Sequence, residues 1–247
     1  MKTRSIVISI SFALAACSSD ETTKTEHDYD DVASAVGSSM AKDSGGDAAA
    51  MSDSTDLALG VMPLGFSLSG AGEFGGERLG LHYSYALVCK DASGGALSAC
   101  GASTDRLSAE VEWSGELDLP RLTASVEREG AWTVTGLQAD VATLDGAGSF
   151  HLDAIVRPDG LPERGVQLDY QAAYDGVQIR VDDRAIIGGR ASYDIDAQRT
   201  AGAEIDARFS MDAEVTFTAD GSATLVLDGT HEYRVDLRTG VALKIQR

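Results

Sequence analysis

From residue 63 onward the apolar positions of the chain fall two apart. Leu81, Tyr83, Tyr85 and Leu87 share one side of a segment at 79–89, and Phe150, Leu152, Ala154 and Val156 share one side of another at 149–156. Such alternation marks a strand with one buried and one solvated face. The same period recurs at 131–137, 191–199, 203–218, 223–227, 231–238 and 241–245. The pattern predicts roughly ten to thirteen strands and no long helix. An all-β domain follows, an antiparallel β-sandwich or partly closed β-barrel built from successive hairpins, because large open sheets curl or split into layers.

Five Asp-Gly pairs punctuate this region: Asp145-Gly146, Asp159-Gly160, Asp175-Gly176, Asp220-Gly221 and Asp228-Gly229. Asp-Gly suits the positive φ angles of tight hairpin turns. A two-residue turn at Asp175-Gly176 would oppose Tyr174 to Val177, Ala172 to Ile179 and Tyr170 to Val181, with all six on one face. Prolines are few, and Pro158 and Pro162 mark a loop within one domain spanning 63–247; a division into two domains near 158–165 is the alternative.

Residues 18–62 read differently. Ser, Thr, Asp, Ala and Gly dominate, with ten acids against two lysines and almost no large apolar residue. Such composition buries too little to fold alone, so residues 17–62 are expected to be a disordered acidic linker spanning about 35–40 Å as a flexible coil. A short helix around 32–40 is the one local exception.

The first seventeen residues carry the most specific signal. Lys2 and Arg4 precede an apolar run of about a dozen residues, too short for the roughly 20 that span a bilayer, and the run ends in small residues before Cys17. Leu14-Ala15-Ala16-Cys17 resembles the lipobox of bacterial lipoproteins. That resemblance implies cleavage between Ala16 and Cys17, removal of residues 1–16 as signal peptide, and acylation of the Cys17 thiol and then of the new amine. Two or three acyl chains anchor far more firmly than a single one. The implied location is the cell envelope. Ser18, a residue other than Asp after the cysteine, points to the outer membrane by the enterobacterial rule.

Charge narrows the partners. Twenty Lys and Arg face 39 Asp and Glu, a formal net charge of −19; loss of Lys2 and Arg4 leaves 18 minus 39, or −21. A surface of that sign repels phosphate backbones, so nucleic acid is not an expected partner. Cys89 and Cys100 form an even pair in an exported chain, which suggests a disulfide, with a two-residue turn at Gly94-Gly95 setting them opposite each other across a hairpin.

Catalytic patterns are weak. His27, His82, His151 and His231 lie on separate segments without metal-ligand spacing; His151 should face solvent and His231 should share a face with Tyr233 and Val235. Asp182-Asp183 and Asp194-x-Asp196 offer paired carboxylates, the latter two on the strand face opposite Tyr193 and Ile195, as solvated positions in an acidic chain. Gly70-x-Gly72-x-x-Gly75 has dinucleotide-binding spacing without the strand before and helix after that the motif needs, and reads as a loop. Trp113 and Trp132 fit packing positions better than a sugar platform. No nucleophile elbow or phosphate loop is present, and no catalytic, cofactor or metal residue is assigned. The expectation is a membrane-anchored, non-enzymatic lipoprotein whose β-domain binds a partner or has a structural role. The alternatives are a carrier of an apolar ligand or lipid and, further off, a hydrolase using two carboxylates.

Overall fold

A computed structural model describes residues 24–78, 80–119, 122–156, 163–201 and 207–246. Twelve strands form one antiparallel sheet in which each strand pairs with its sequence neighbours, in the order β1 to β12. They are β1 (Phe66–Gly70), β2 (Glu73–Arg78), β3 (Leu81–Lys90), β4 (Arg106–Leu119), β5 (Leu122–Thr135), β6 (Val141–Val156), β7 (Arg164–Arg180), β8 (Ile186–Ala201), β9 (Arg208–Phe217), β10 (Ser222–Leu227), β11 (His231–Asp236) and β12 (Ala242–Lys244). The expected all-β, antiparallel architecture is present, as a single curled sheet whose edges β1 and β12 do not pair; it is a partly closed barrel and not a sandwich.

Inside the curl lie two helices, α1 (Glu26–Met40) and α2 (Asp47–Ala58). The linker expected to be disordered to Met62 is therefore folded from Lys24 on. α1 covers 32–40, where a short helix was anticipated, and begins six residues earlier, where the Asp28 carboxylate accepts hydrogen bonds from the Thr25 amide (2.6 Å) and hydroxyl (2.8 Å). Ala48, Ala49 and Ala50 favour the helical state of α2, and Gly60, at φ +81°, ends it with the Val61 amide bonded back to the Asp56 carbonyl. All residues of α2 except Asp56 are buried. Composition concealed this because α2 is not pulled inward by an apolar stripe of its own; the sheet encloses it.

The inward faces of the strands keep the predicted alternation: Leu81, Tyr83, Tyr85, Leu87 and Cys89 on β3, and Phe209, Met211, Ala213, Val215 and Phe217 on β9, are all buried. α1 rests against β10, β11 and β12, and α2 against β3 and β4. Only Val32, Val36, Met40, Met51 and Leu57 bring larger buried aliphatic side chains from the helices; apart from Asp28, Asp47 and Asp53, the other buried positions are Ala, Gly, Ser and Thr.

Asp175-Gly176 does not turn the chain. β7 runs straight through it, and the pairing with β8 slips between Asp175 and Gln178. Gly176, at φ +57°, donates its amide to the Asp145 carboxylate on β6 (2.8 Å). The residue pair is a bulge, which resets the alternation as a two-residue turn would, so Tyr170, Ala172, Tyr174, Val177 and Ile179 still share the buried face. Asp145-Gly146 also lies within a strand, β6, whereas Asp220-Gly221 and Asp228-Gly229 occupy the β9–β10 and β10–β11 turns as predicted. Asp159-Gly160, Pro158 and Pro162 fall outside the described residues. Gly70 to Gly75 form the β1–β2 hairpin, not a loop ahead of the first strand.

Cys89 and Cys100 are disulfide-bonded, with their Cα atoms 5.3 Å apart. The expected geometry is corrected. Lys90 bridges Ala96 around a five-residue turn in which the Asp91 carboxylate caps the Ser93 and Gly95 amides, and Cys100 lies beyond it in the loop before β4. Cys89 is opposite Leu107 in the sheet, so the bond ties the loop down and does not cross a regular hairpin.

Candidate functional site

One inward row runs across the sheet through paired positions: Tyr83 on β3, Trp113 on β4, Arg128 on β5, Phe150 on β6 and Tyr170 on β7. Arg128 is the sole charged member. Its side chain has no exposure, and its guanidinium carbon lies 5.0 Å from the centre of the Trp113 ring and 5.5 Å from that of Tyr170. Across β6, Gly148 lies where a Cβ would stand 3.4 Å from the Arg128 Nη2 atom, so a small residue clears space beside the charge.

Asp47, the first residue of α2, forms an ion pair with Arg128. The Arg128 guanidinium also donates to the Tyr170 and Tyr174 hydroxyls. Tyr174 donates onward to the Asp47 carboxylate (2.6 Å), and Tyr170 to the Ser39 hydroxyl on α1 (2.8 Å). Burial pushes the Asp47 carboxyl up, while Arg128 and Tyr174 pull it back. Arg128 remains a cation: burial works against its charge, but Asp47 and the surrounding tyrosines outweigh it. The tyrosine hydroxyls are raised far from ionisation by burial, so they act as neutral donors and acceptors.

The cluster is the centre of a wider pattern. Each of the eight acids between residues 24 and 62 has a cationic partner on the sheet or its turns. On α1, Asp28 takes Arg199 in a two-pronged contact, Asp31 takes Arg164 at 3.3 Å, and Glu26 and Asp30 share Lys244. Asp43 meets Arg238 at 3.0 Å in the connection between the helices. On α2, Asp53 meets Arg78 at 3.2 Å and Asp56 meets Arg184 at 2.8 Å. Arg184 holds a left-handed φ of +60° in the β7–β8 turn, a conformation that non-glycine residues seldom adopt. The acids that suggested a solvated linker are the docking charges of the helices.

The residues singled out in the sequence are scattered by comparison. Cys17 and Ala16 lie outside the described residues. His27 and His82 are exposed. His151 stands on the outer face with its side chain partly exposed, as expected, and bonds Asp169 there at 2.6 Å. His231 stacks on Tyr29 at 3.6 Å and reaches Glu26 at 3.2 Å, so it is a packing residue at the α1 end of the fold. Asp194 and Asp196 face outward, with Tyr193 and Ile195 inward, as predicted. Trp113 and Trp132 are packing residues in the interior, and Trp132 donates to Ser54 on α2 at 3.3 Å.

No protein-family model, curated protein or solved structure matches the chain. The arrangement therefore has to speak through its own chemistry. Among the described residues no group of three or more His, Cys, Asp or Glu is placed to hold a metal ion, and no helix is long and apolar enough to cross a membrane. Arg128 was missed in the sequence, although one signal was there: with Val126, Trp132 and Val134 it keeps the inward phase of β5, and an arginine in that phase must find a buried anion.

Proposed function

We propose that this chain is a lipid-anchored protein of the bacterial cell envelope, held at Cys17 and without catalytic activity, whose β-domain is a partner-binding scaffold. The observation that carries the reading is the fastening of Lys24: its ammonium bonds Asp228 in the β10–β11 turn (2.7 Å) and the Ser210 carbonyl on β9 (2.6 Å). Only seven residue steps separate Cys17 from that point, at most about 25 Å of chain. A lipid on Cys17 thus keeps the folded unit close to the bilayer, where a 45-residue linker would have lifted it away.

The outer face supports a basic or polar protein partner. Asp169 opposes Asp196, and Asp194 opposes Asp212, across β7, β8 and β9, which concentrates negative potential on the side away from the helices. The test is fractionation of cells producing the wild type and Cys17→Ser, with acyl labelling of each. The wild type is expected to take up label and pellet with membranes, and Cys17→Ser to do neither. Membrane retention of unlabelled Cys17→Ser would remove the anchor from the reading.

A further inference from the structure

The interior of the curled sheet has the chemistry of a receptor whose ligand position is filled by the chain's own carboxylate. Arg128 stands at the middle of a wall of aromatic rings, flanked by Trp113 and Phe150, with the Tyr170 and Tyr174 hydroxyls turned toward the same point. What sits there is a single carboxylate, Asp47, and behind it follows a helix of small residues rather than a wedge of large apolar ones. We propose that this is a binding site for a single-chain anionic amphiphile, whose headgroup replaces the Asp47 carboxylate on Arg128 and whose alkyl chain takes the space of α2 against the inward faces of β3 and β4.

Three observations favour exchange over a permanent plug. First, the helix is joined to the rest of the fold through Gly45 and Gly46 on one side and Gly60 on the other, and Gly45 and Gly60 hold positive φ angles of +76° and +81° that make them natural pivots. Second, Met51 and Leu57 are the only larger apolar side chains that α2 buries, so its seat depends on Asp47, Asp53 and Asp56 finding Arg128, Arg78 and Arg184. Such contacts are tradable for an equivalent anion. Third, the wall that α2 covers is apolar without it: Tyr85, Leu87, Leu107, Val111 and Trp113 all point inward from β3 and β4. An uncharged lipid would leave Arg128 without an anion, and a compact anion would leave that wall bare; an amphiphile meets both demands.

The inference goes beyond the anchored scaffold and does not depend on the lipid. It is tested on the soluble Cys17→Ser chain, so failure here leaves the anchoring result untouched. Laurate and 1-dodecanol are each titrated below their aggregation limits while the fluorescence of Trp113 and Trp132, the two tryptophans of the chain, is followed. Both report on the site, Trp113 through Arg128 and Trp132 through Ser54 of α2. Saturable one-site binding of laurate is expected, about tenfold or more tighter than dodecanol, with Asp47→Asn raising laurate affinity about tenfold by removing the internal competitor. Laurate should also speed amide exchange across residues 47–58. If Asp47→Asn does not fold, exchange in the Cys17→Ser chain with Asp47 intact decides. Absence of saturable binding, equal affinity for laurate and dodecanol, or binding that leaves α2 protected would each overturn the site.

Discussion

At the scale of single residues, Arg128 and Asp47 show how a buried charge becomes structurally committed. Either group alone in this interior would face a desolvation cost that only a partner offsets, and each has one partner of opposite sign, with tyrosine hydroxyls bonding both while the Arg128 Nε stays buried without an acceptor. Asp47→Ala is therefore expected to destabilise the fold by about 3–5 kcal/mol, because it strands the arginine charge, whereas Asp47→Leu combined with Arg128→Met should recover most of that loss. Urea unfolding of the wild type and these two variants measures both; an Asp47→Ala chain that loses less than about 0.5 kcal/mol would mean the arginine is reached by water. Arg128 was legible in principle from its phase in β5. Asp47 was not, since nothing in a stretch of Gly, Asp and Ala says that a sheet formed by later residues will close over it.

At the scale of elements, the strands were largely readable and their interruptions were not. Asp175-Gly176 predicts a reversal of the chain or a bulge equally well, because both keep Tyr174 and Val177 on one face; only the pairing of β7 with β6 and β8 over its full length separates the two. The neighbouring strand answers that bulge with Gly189, at φ +99°, where a Cβ would stand 2.4 Å from the Val177 Cα. Gly189→Val should cost at least about 1–3 kcal/mol from backbone strain alone, with overlap against β7 added, and is expected to appear as a lowered thermal midpoint or as insoluble protein. A substitution tolerated without loss would mean that β8 does not bend there. The Cys89–Cys100 bond is a constraint of a different kind, covalent and acting through the unfolded chain. Reducing it should lower stability by about 3 kcal/mol, read as a shift of the urea midpoint between oxidised and reduced protein, because it closes a loop of eleven residues' separation.

At the scale of the whole molecule, the acids of the two helices are what hold the interior in place, and the two helices differ in how they respond to acid. Asp28 on α1 is buried enough to raise its carboxyl, yet the Arg199 bonds and the Thr25 amide carry it below the ordinary 3.8. Asp228, which holds Lys24 and Tyr29, is likewise lowered: burial raises it, but those two partners outweigh the burial. A carboxyl lowered by folding binds fewer protons in the folded chain, so its stabilisation is complete above about 3.8 and drains as pH falls through the lower folded value. Asp47 and Asp53 on α2 are raised by burial, so folding favours their protonated forms and their contribution falls as pH rises above 3.8. On α1 Asp31 is raised in the same way, but Glu26, bonded to Lys244 and His231, is lowered with Asp28, so the acid-labile contacts are those of α1. Acid is therefore expected to loosen α1 before α2. Amide exchange at about pH 3 and pH 6, corrected for intrinsic rates, should show the larger loss of protection over residues 26–40; uniform loss across both helices would contradict the assignment of these charges.

What the sequence determined by itself is the local grammar: alternation that makes strands, glycines that permit turns and bulges, a cysteine pair, and the inward phase of residues from Leu81 to Val235. Those properties depend on neighbours a few positions away, and they survive without knowledge of the rest of the chain. Tertiary structure alone decided that the sheet remains one curled layer, that Asp175-Gly176 bulges, and that residues 24–62 fold. The last of these turns on partners some 25 to 220 residues distant, such as Arg78 for Asp53, Arg128 for Asp47, Arg199 for Asp28 and Lys244 for Glu26. An acidic segment poor in apolar residues has no reason to order until the cations that neutralise it are gathered on one surface, and only the completed sheet gathers them.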